Sequence, residues 1–216
     1  VFLMKYMVIL AILSVLIVGC TTQGEVETSE NFGEDDLICD DGSTCTAPTD
    51  LPEEFSLSLD TSMSEMTWHG EKIVGNSHGG TIEVSEGNIE KTKEMYSGSF
   101  VIDMTSMQET GGSGAVISHL KNEDFFDVEN YPTSTFVLKD ITDGVVTGDL
   151  TILDTTNEIN FPVKMKYEND MLYTEAEFEI DRTRWGIKYN SGSFFKDLGD
   201  NAIRDNIKFG LNLVFS

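Results

Sequence analysis

The chain has 216 residues, the length of one domain with appendages, and its 14 Lys+Arg against 38 Asp+Glu give a formal net charge of −24. So acidic a surface repels phosphate, which excludes nucleic acid as a partner and argues against non-specific docking on anionic lipid heads. A hydrophobic fraction of 39% with 13 Phe is enough for a core, 19 Gly and four Pro fit a turn-rich β protein, and three Cys leave one with a different job from the other two.

Residues Met7 to Val18 are apolar except for Ser14, with Lys5 before them. Twelve residues are too few to span a bilayer as a helix, which takes about 20, but they suit a signal-peptide core. The run ends Ile17-Val18-Gly19-Cys20, which resembles a bacterial lipobox, so residues 1–19 read as a lipoprotein signal and Cys20 as the lipidated first residue of the mature protein. Ile at the first box position, where Leu is commoner, is a departure. The alternative is an ordinary secretory signal with a chance Cys. With Thr21-Thr22 next and no Asp to retain it at the inner membrane, the expected address is the bacterial cell envelope. There the protein would be an outer-membrane lipoprotein facing the periplasm or the cell surface, held to the membrane by its N-terminal lipid.

Residues 20–54 hold 11 acidic and no basic residues, with much Thr, Ser and Gly. Such a segment cannot bury enough apolar area to offset chain entropy and is expected to be a disordered tether. Cys39 and Cys45 bracket Asp40-Asp41-Gly42-Ser43-Thr44, and in an oxidising envelope a small disulfide loop is expected. Asp35, Asp36, Asp40 and Asp41 lack the spacing of an EF-hand loop, so a solvated acidic spacer is the preferred reading over a Ca²⁺ site.

Residues 55–216 carry period-two alternation. Ile159, Phe161, Val163, Met165 and Tyr167 form one apolar set, Leu172, Ala176, Phe178 and Ile180 a second, and Ile207, Phe209, Leu211, Leu213 and Phe215 a third. These predict antiparallel strands with one apolar and one wet face. Shorter strands are predicted at Met63 to His69, Thr81 to Val84, Ser99 to Met104, Thr135 to Lys139 and Val145 to Ile152, with turns at Glu86-Gly87-Asn88 and Asp143-Gly144. One short helix is predicted from Val116 to Phe126, burying Leu120 and Phe125. The fold class is all-β: about eight strands in a barrel or sandwich. An eight-stranded barrel either fills with side chains or holds one small ligand, and alternation alone leaves both open.

Gly75-Asn76-Ser77-His78-Gly79 matches G-x-S-x-G, but a nucleophile elbow needs a helix after it, and Thr81 to Val84 reads as strand. His69, His78 and His119 are spaced nine and 41 residues apart, which implies no metal site. There is no P-loop, G-x-G-x-x-G or C-x-x-C. No catalytic residue, metal or cofactor is therefore expected, and the protein reads as a non-enzyme.

Five blocks in order resemble the YceI-like family of periplasmic lipid-binding proteins. Met66-Thr67-Trp68-His69-Gly70-Glu71-Lys72 is similar to its W-x-G-x-K strand, and Gly75 to Gly80 to G-x-x-H-x-G. Gly98 to Ser106 resembles G-x-F-x-I-D-M-x-S. His119 to Val128, with Tyr131-Pro132 and Phe136, resembles H-L-K-S-x-D-F-F-D-V-x-x-Y-P-x-x-x-F. Gly148 to Ile152 and Ile180 to Ile187 complete the set. Leu153-Asp154-Thr155-Thr156 departs from the Gly-containing turn usual there. The resemblance implies an extended, lipocalin-like antiparallel β-barrel whose interior holds a long isoprenoid lipid, polyprenyl or quinone-type, as carrier or store; it leaves a homodimer open. The competing reading is a structural or interaction lipoprotein with a solidly packed barrel and no lipid ligand.

Trp68, Phe100, Ile102, Met104, Phe136, Leu138, Phe161, Phe178 and Phe209 lie on the apolar parity of their strands and are the expected lining, each with core packing as the alternative. Phe125 and Phe126 would diverge by about 100° on a helix, one packing the barrel and the other lidding an opening. Arg182 and Arg184, two of only three Arg, lie just before Trp185 in an anion or cation–π role, or pair with carboxylates. The aromatic connection from Trp185 to Arg204 is expected to be a lid or a packed cover.

Overall fold

The computed structural model describes residues 51–216, apart from Ser113. The lipobox, the Cys39–Cys45 pair and residues 20–50 of the tether lie outside the described residues; residues 51–54, assigned to the tether from sequence, belong to the barrel, with Glu54 opening the first strand and Pro52 O accepting from Lys91 Nζ.

Ten strands form one antiparallel sheet: β1 (Glu54–Ser58), β2 (Glu65–Glu71), β3 (Ser77–Thr92), β4 (Met95–Glu109), β5 (Thr133–Thr142), β6 (Val145–Ile152), β7 (Thr155–Pro162), β8 (Lys164–Glu168), β9 (Met171–Asp181) and β10 (Asn206–Phe215). The order is β7-β6-β5-β4-β3-β2-β10-β9-β8, with β1 beside the second half of β3. The curled, lipocalin-like sheet matches the expected class, with ten strands rather than about eight. One helix, α1 (Ala115–Leu120), follows β4.

Three sequence expectations are corrected. Glu86-Gly87-Asn88 is not a turn: β3 runs through it with a register shift between Val84 and Glu86. Gly87 sits opposite Phe100, and a Cβ there would fall 2.7 Å from the Phe100 ring. The glycine makes room for an aromatic ring; it does not reverse the chain. The helix stops at Leu120 instead of Phe126, because Asn122 takes over the chain. Its Oδ1 accepts from Asp124 N–H and its carbonyl from Phe125 and Asp127 N–H, and Asp127 turns at φ 42°. The alternating run Ile159 to Tyr167 is two strands. Pro162 closes the pairing with Val145, and beyond Val163 the chain crosses to pair β8 with β9. Inward parity persists across the break, which is why the sequence reads as continuous.

That crossing closes the barrel. β7 bonds to β6 and β8 to β9, so one bent segment joins the two edges of the sheet. No ladder joins β7 to β9. Instead Phe161 stacks on Phe178 with ring centroids 4.2 Å apart and planes 14° apart. The 3₁₀ turn Arg182–Trp185 stitches the same seam: Arg184 Nη2 donates to Glu158 O at 2.9 Å, and Asn157 Nδ2 donates to Arg184 O at 3.1 Å. Asp143 and Gly144, at φ 51° and 72°, make the predicted hairpin turn. A two-residue loop, Leu153-Asp154, turns β6 into β7 with Leu153 itself at φ 55°.

Candidate functional site: an apolar cavity with a polar mouth

Inward side chains of the sheet surround a cavity of about 440 Å³, within the range of small-molecule sites. Six of the eight phenylalanines in its wall form a continuous belt. Centroid separations are 6.0 Å for Phe215–Phe100, 6.2 Å for Phe100–Phe136, 6.0 Å for Phe136–Phe161 and 5.6 Å for Phe178–Phe209, with the seam stack between Phe161 and Phe178. Glycines accommodate this belt: Gly87 lies against Phe100, and a Cβ on Gly148 would run into the Phe136 ring. Phe136, Phe178 and Phe209 are only partly buried although they sit on the inward parity, because they face the cavity.

At one end β1 plugs the barrel. Phe55 packs edge-on against Tyr96 at 6.4 Å and stacks on Tyr167 at 6.3 Å, and none of the three reaches the cavity. The opposite end is polar and open. Lys72, Asn76, His78, His119, Asn190 and Arg204 line the cavity there, contributed by the β2–β3 turn, the start of β3, α1 and the connection to β10. His78 Nδ1 lies 2.8 Å from Glu109 Oε1, and Glu109 Oε2 accepts from Gly114 N–H. His119 sits edge-on to Tyr189 at 4.7 Å and to Phe125 at 5.2 Å. His69 is not in the lining. Among the described residues, no three His, Cys, Asp or Glu side chains gather as a metal site. Ser77 opens β3 with strand, not helix, behind it, so the G-x-S-x-G match forms no nucleophile elbow.

The cavity wall contains Trp68, Phe100, Ile102, Met104, Phe125, Phe126, Phe136, Leu138, Phe161, Phe178, Arg182 and Phe209. Phe125 and Phe126 both line it, from the turns that follow the helix rather than from the helix itself. Trp185 does not line it. Alternation ends at Asp181, and the 3₁₀ turn sends the indole behind the wall, where Nε1 donates to Leu150 O at 3.0 Å. Arg184 covers that indole at 5.3 Å.

Arg182 is 1% exposed and braces the mouth. Its guanidinium donates to the carbonyls of Ile187 at 2.9 Å, Arg204 at 3.2 Å and Ile203 at 3.4 Å, and meets Asp205 Oδ1 at 3.4 Å. Desolvation pulls it below the ordinary arginine value, opposed by Asp205 and Asp181. The carboxylate pairing expected from sequence is thus present, but most of the donors hold backbone. Residues missed by sequence reasoning include Ser134 and Asn190, whereas Tyr189 lines the cavity from the aromatic connection expected to cover it. Ser134 Oγ is buried in the wall and, among the described residues, has no hydrogen-bond partner. A lone Ser at the start of a strand carries no signal of that position.

Comparison with known proteins agrees with this architecture. A UPF0312 protein of Staphylococcus epidermidis is 32% identical over 106 residues, 46% of this chain and 60% of the relative, and one of Staphylococcus aureus is 33% identical over the same extent. The chain thus spans 60% of the length of these curated relatives. Among solved structures, Burkholderia cenocepacia BcnA superposes with a TM-score of 0.58 at 21% identity, covering 72% of this chain and 98% of that one. A polyisoprenoid binding domain from Saccharophagus degradans, implicated in plant cell wall breakdown, gives 0.55 at 12% identity over 74% and 97%. At such identities the likeness is one of fold. Residues 57–215, nearly all of the described barrel, match the model of the YceI-like domain, and the chain belongs to that family.

Proposed function

We propose that this protein binds a long-chain isoprenoid lipid, polyprenyl or quinone-type, inside its barrel, as a non-catalytic carrier or store held in the bacterial envelope by a lipid on Cys20. The observation that carries this reading is the cavity itself: an apolar chamber walled by eight Phe and open at one polar end. A polyprenyl tail offers no polar handle along its length, so holding it is area burial at roughly 25 cal/mol per Å². Its head group would meet polar side chains at the mouth. The solved Saccharophagus degradans neighbour, described as polyisoprenoid-binding, supports the ligand class. A solidly packed barrel would not leave about 440 Å³ inside.

Native mass spectrometry of the full chain purified from its own envelope, followed by organic extraction, tests this. A bound species that extracts as an isoprenoid is the expected result. Protein that is lipid-free in its native environment would favour the structural reading.

A further inference from the structure

We infer that the open end of the barrel docks on a lipid bilayer by inserting the apolar tips of two neighbouring loops, Ile73-Val74 and Phe194-Phe195. This rests on the lipid-binding reading and specifies where the cargo would enter.

Seven large apolar side chains are exposed among the described residues, and four of them are these tips: Ile73 at 51%, Val74 at 58%, Phe194 and Phe195 at 50% each. The others, Met63, Met95 and Val137, are scattered singly, as surface apolar residues ordinarily are. The two tips share one rail. Ile203 pairs with Lys72 on one side and with Ser191 on the other. Ile73 N–H donates to Ala202 O at 2.9 Å, and Gly192 lies against the Ile73 side chain.

The Phe pair is held outward. Phe194 and Phe195 N–H both donate to Ser191 O, Ser193 N–H donates to Ser191 Oγ, and Ser193 Oγ donates to Asp205 Oδ2 at 2.6 Å. Ser191 itself is fully buried. A braced loop that presents two adjacent phenyl rings to water is unfavourable unless something apolar covers them. The same loops supply Lys72, Asn190 and Ile203 to the cavity wall, so the patch is continuous with the opening.

Charge selects the occupant. The chain is strongly acidic, yet residues 70–76 and 186–205 carry Lys72, Lys188, Lys196 and Arg204 against Glu71, Asp197, Asp200 and Asp205, four basic to four acidic. Lys188 Nζ lies 4.6 Å from the Phe194 ring centroid. The mouth is therefore a near-neutral window in an acidic protein, suited to a zwitterionic surface and to apolar insertion. Interfacial apolar groups enter a bilayer by about 5–10 Å, the depth at which acyl chains begin.

The test uses the full chain carrying Phe194→Trp, and separately Met95→Trp on the hairpin at the plugged end, mixed with phosphatidylcholine vesicles brominated near the head-group end of the acyl chains. The native Trp68 and Trp185 are buried and set the background. Quenching and a blue shift at position 194 but not at 95 are expected, unchanged by high salt and lost when Val74→Glu and Phe195→Glu are added. Any membrane anchor is common to all variants, so it cannot mimic that contrast. No quenching at 194, or equal quenching at both positions, overturns the proposal. So does emission at 194 that is already blue-shifted, and concentration-dependent, without vesicles, which would show a second copy of the chain covering the patch. Solvent extraction of the same samples reads cargo separately: quenching without any extracted isoprenoid keeps the docking and removes the cargo reading.

Discussion

Phe136 shows how one residue can test whether the interior is a chamber or a core. Its ring packs between Phe100 and Phe161, over Gly148, and faces the cavity. In a close-packed interior an unpartnered carboxylate costs several kcal/mol, a large part of the roughly 5–15 kcal/mol that holds a domain folded. In a chamber open at one end, water can enter to solvate it. Phe136→Asp is therefore expected to leave β-type circular dichroism intact while the extractable isoprenoid disappears. An unfolded or unexpressed variant, beside lipid-free wild type, would speak for a packed core. Arg182 makes the complementary point. Its position beside an aromatic residue suggested a ligand contact, but its donors hold the carbonyls that shape the mouth. A change there would disturb the whole opening, not one contact.

Among the elements, β1 has a role its length conceals. It has five residues, yet it sets Phe55 against Tyr96 and Tyr167 and closes the base. Burial raises Tyr96 above its ordinary value of 10.0, with Glu94 and Asp140 adding to the shift. A raised folded-state value means stability that is complete below pH 10 and is lost as pH rises through the folded value, when the buried hydroxyl must ionise. Urea midpoints of wild type and Tyr96→Phe should therefore run parallel below pH 10 and diverge above it, the variant losing less. Curves that stay parallel into the alkaline range would show that the hydroxyl is not desolvated. The seam between β7 and β9 is the other element-scale feature. Stacking and side-chain bonds from the 3₁₀ turn replace a ladder there, so the continuous parity of β7 and β8 serves closure as well as lining. Trp185 and Arg184 belong to this clasp.

At the scale of the whole molecule the chain enters the barrel at its plugged base, where β1 pairs the end of β3 and Lys91 Nζ donates to Pro52 O at 2.9 Å. The 31 residues from Cys20 to Asp50 reach at most about 100–110 Å. The longest strand, β3, has 16 residues and spans about 53 Å. The proposed lipid on Cys20 would thus leave covalent reach enough for the far end of the barrel to meet the same membrane. Cys20→Ser is expected to move the protein from the membrane pellet to the soluble envelope fraction. An unlipidated variant that stays in the pellet would remove the anchor from the proposal.

The sequence by itself determined β6 to its last residue and β9 and β10, two of the three alternating runs, to within one, because period-two hydrophobicity needs no knowledge of partners. It also determined most of the wall, since parity on a strand fixes which face a side chain takes: Trp68, Phe100, Phe161 and Phe209 line the cavity as their alternation required. Tertiary structure decided the rest. Gly87 reads as a turn until Phe100 is placed across from it, and Trp185 reads as lining until the turn after Asp181 aims it at Leu150. Whether the interior is filled or open depends on strand number and stagger and on how the sheet closes, and it closes through the crossing at Val163 and the Phe161–Phe178 stack, a pairing that carries no local signal in the chain.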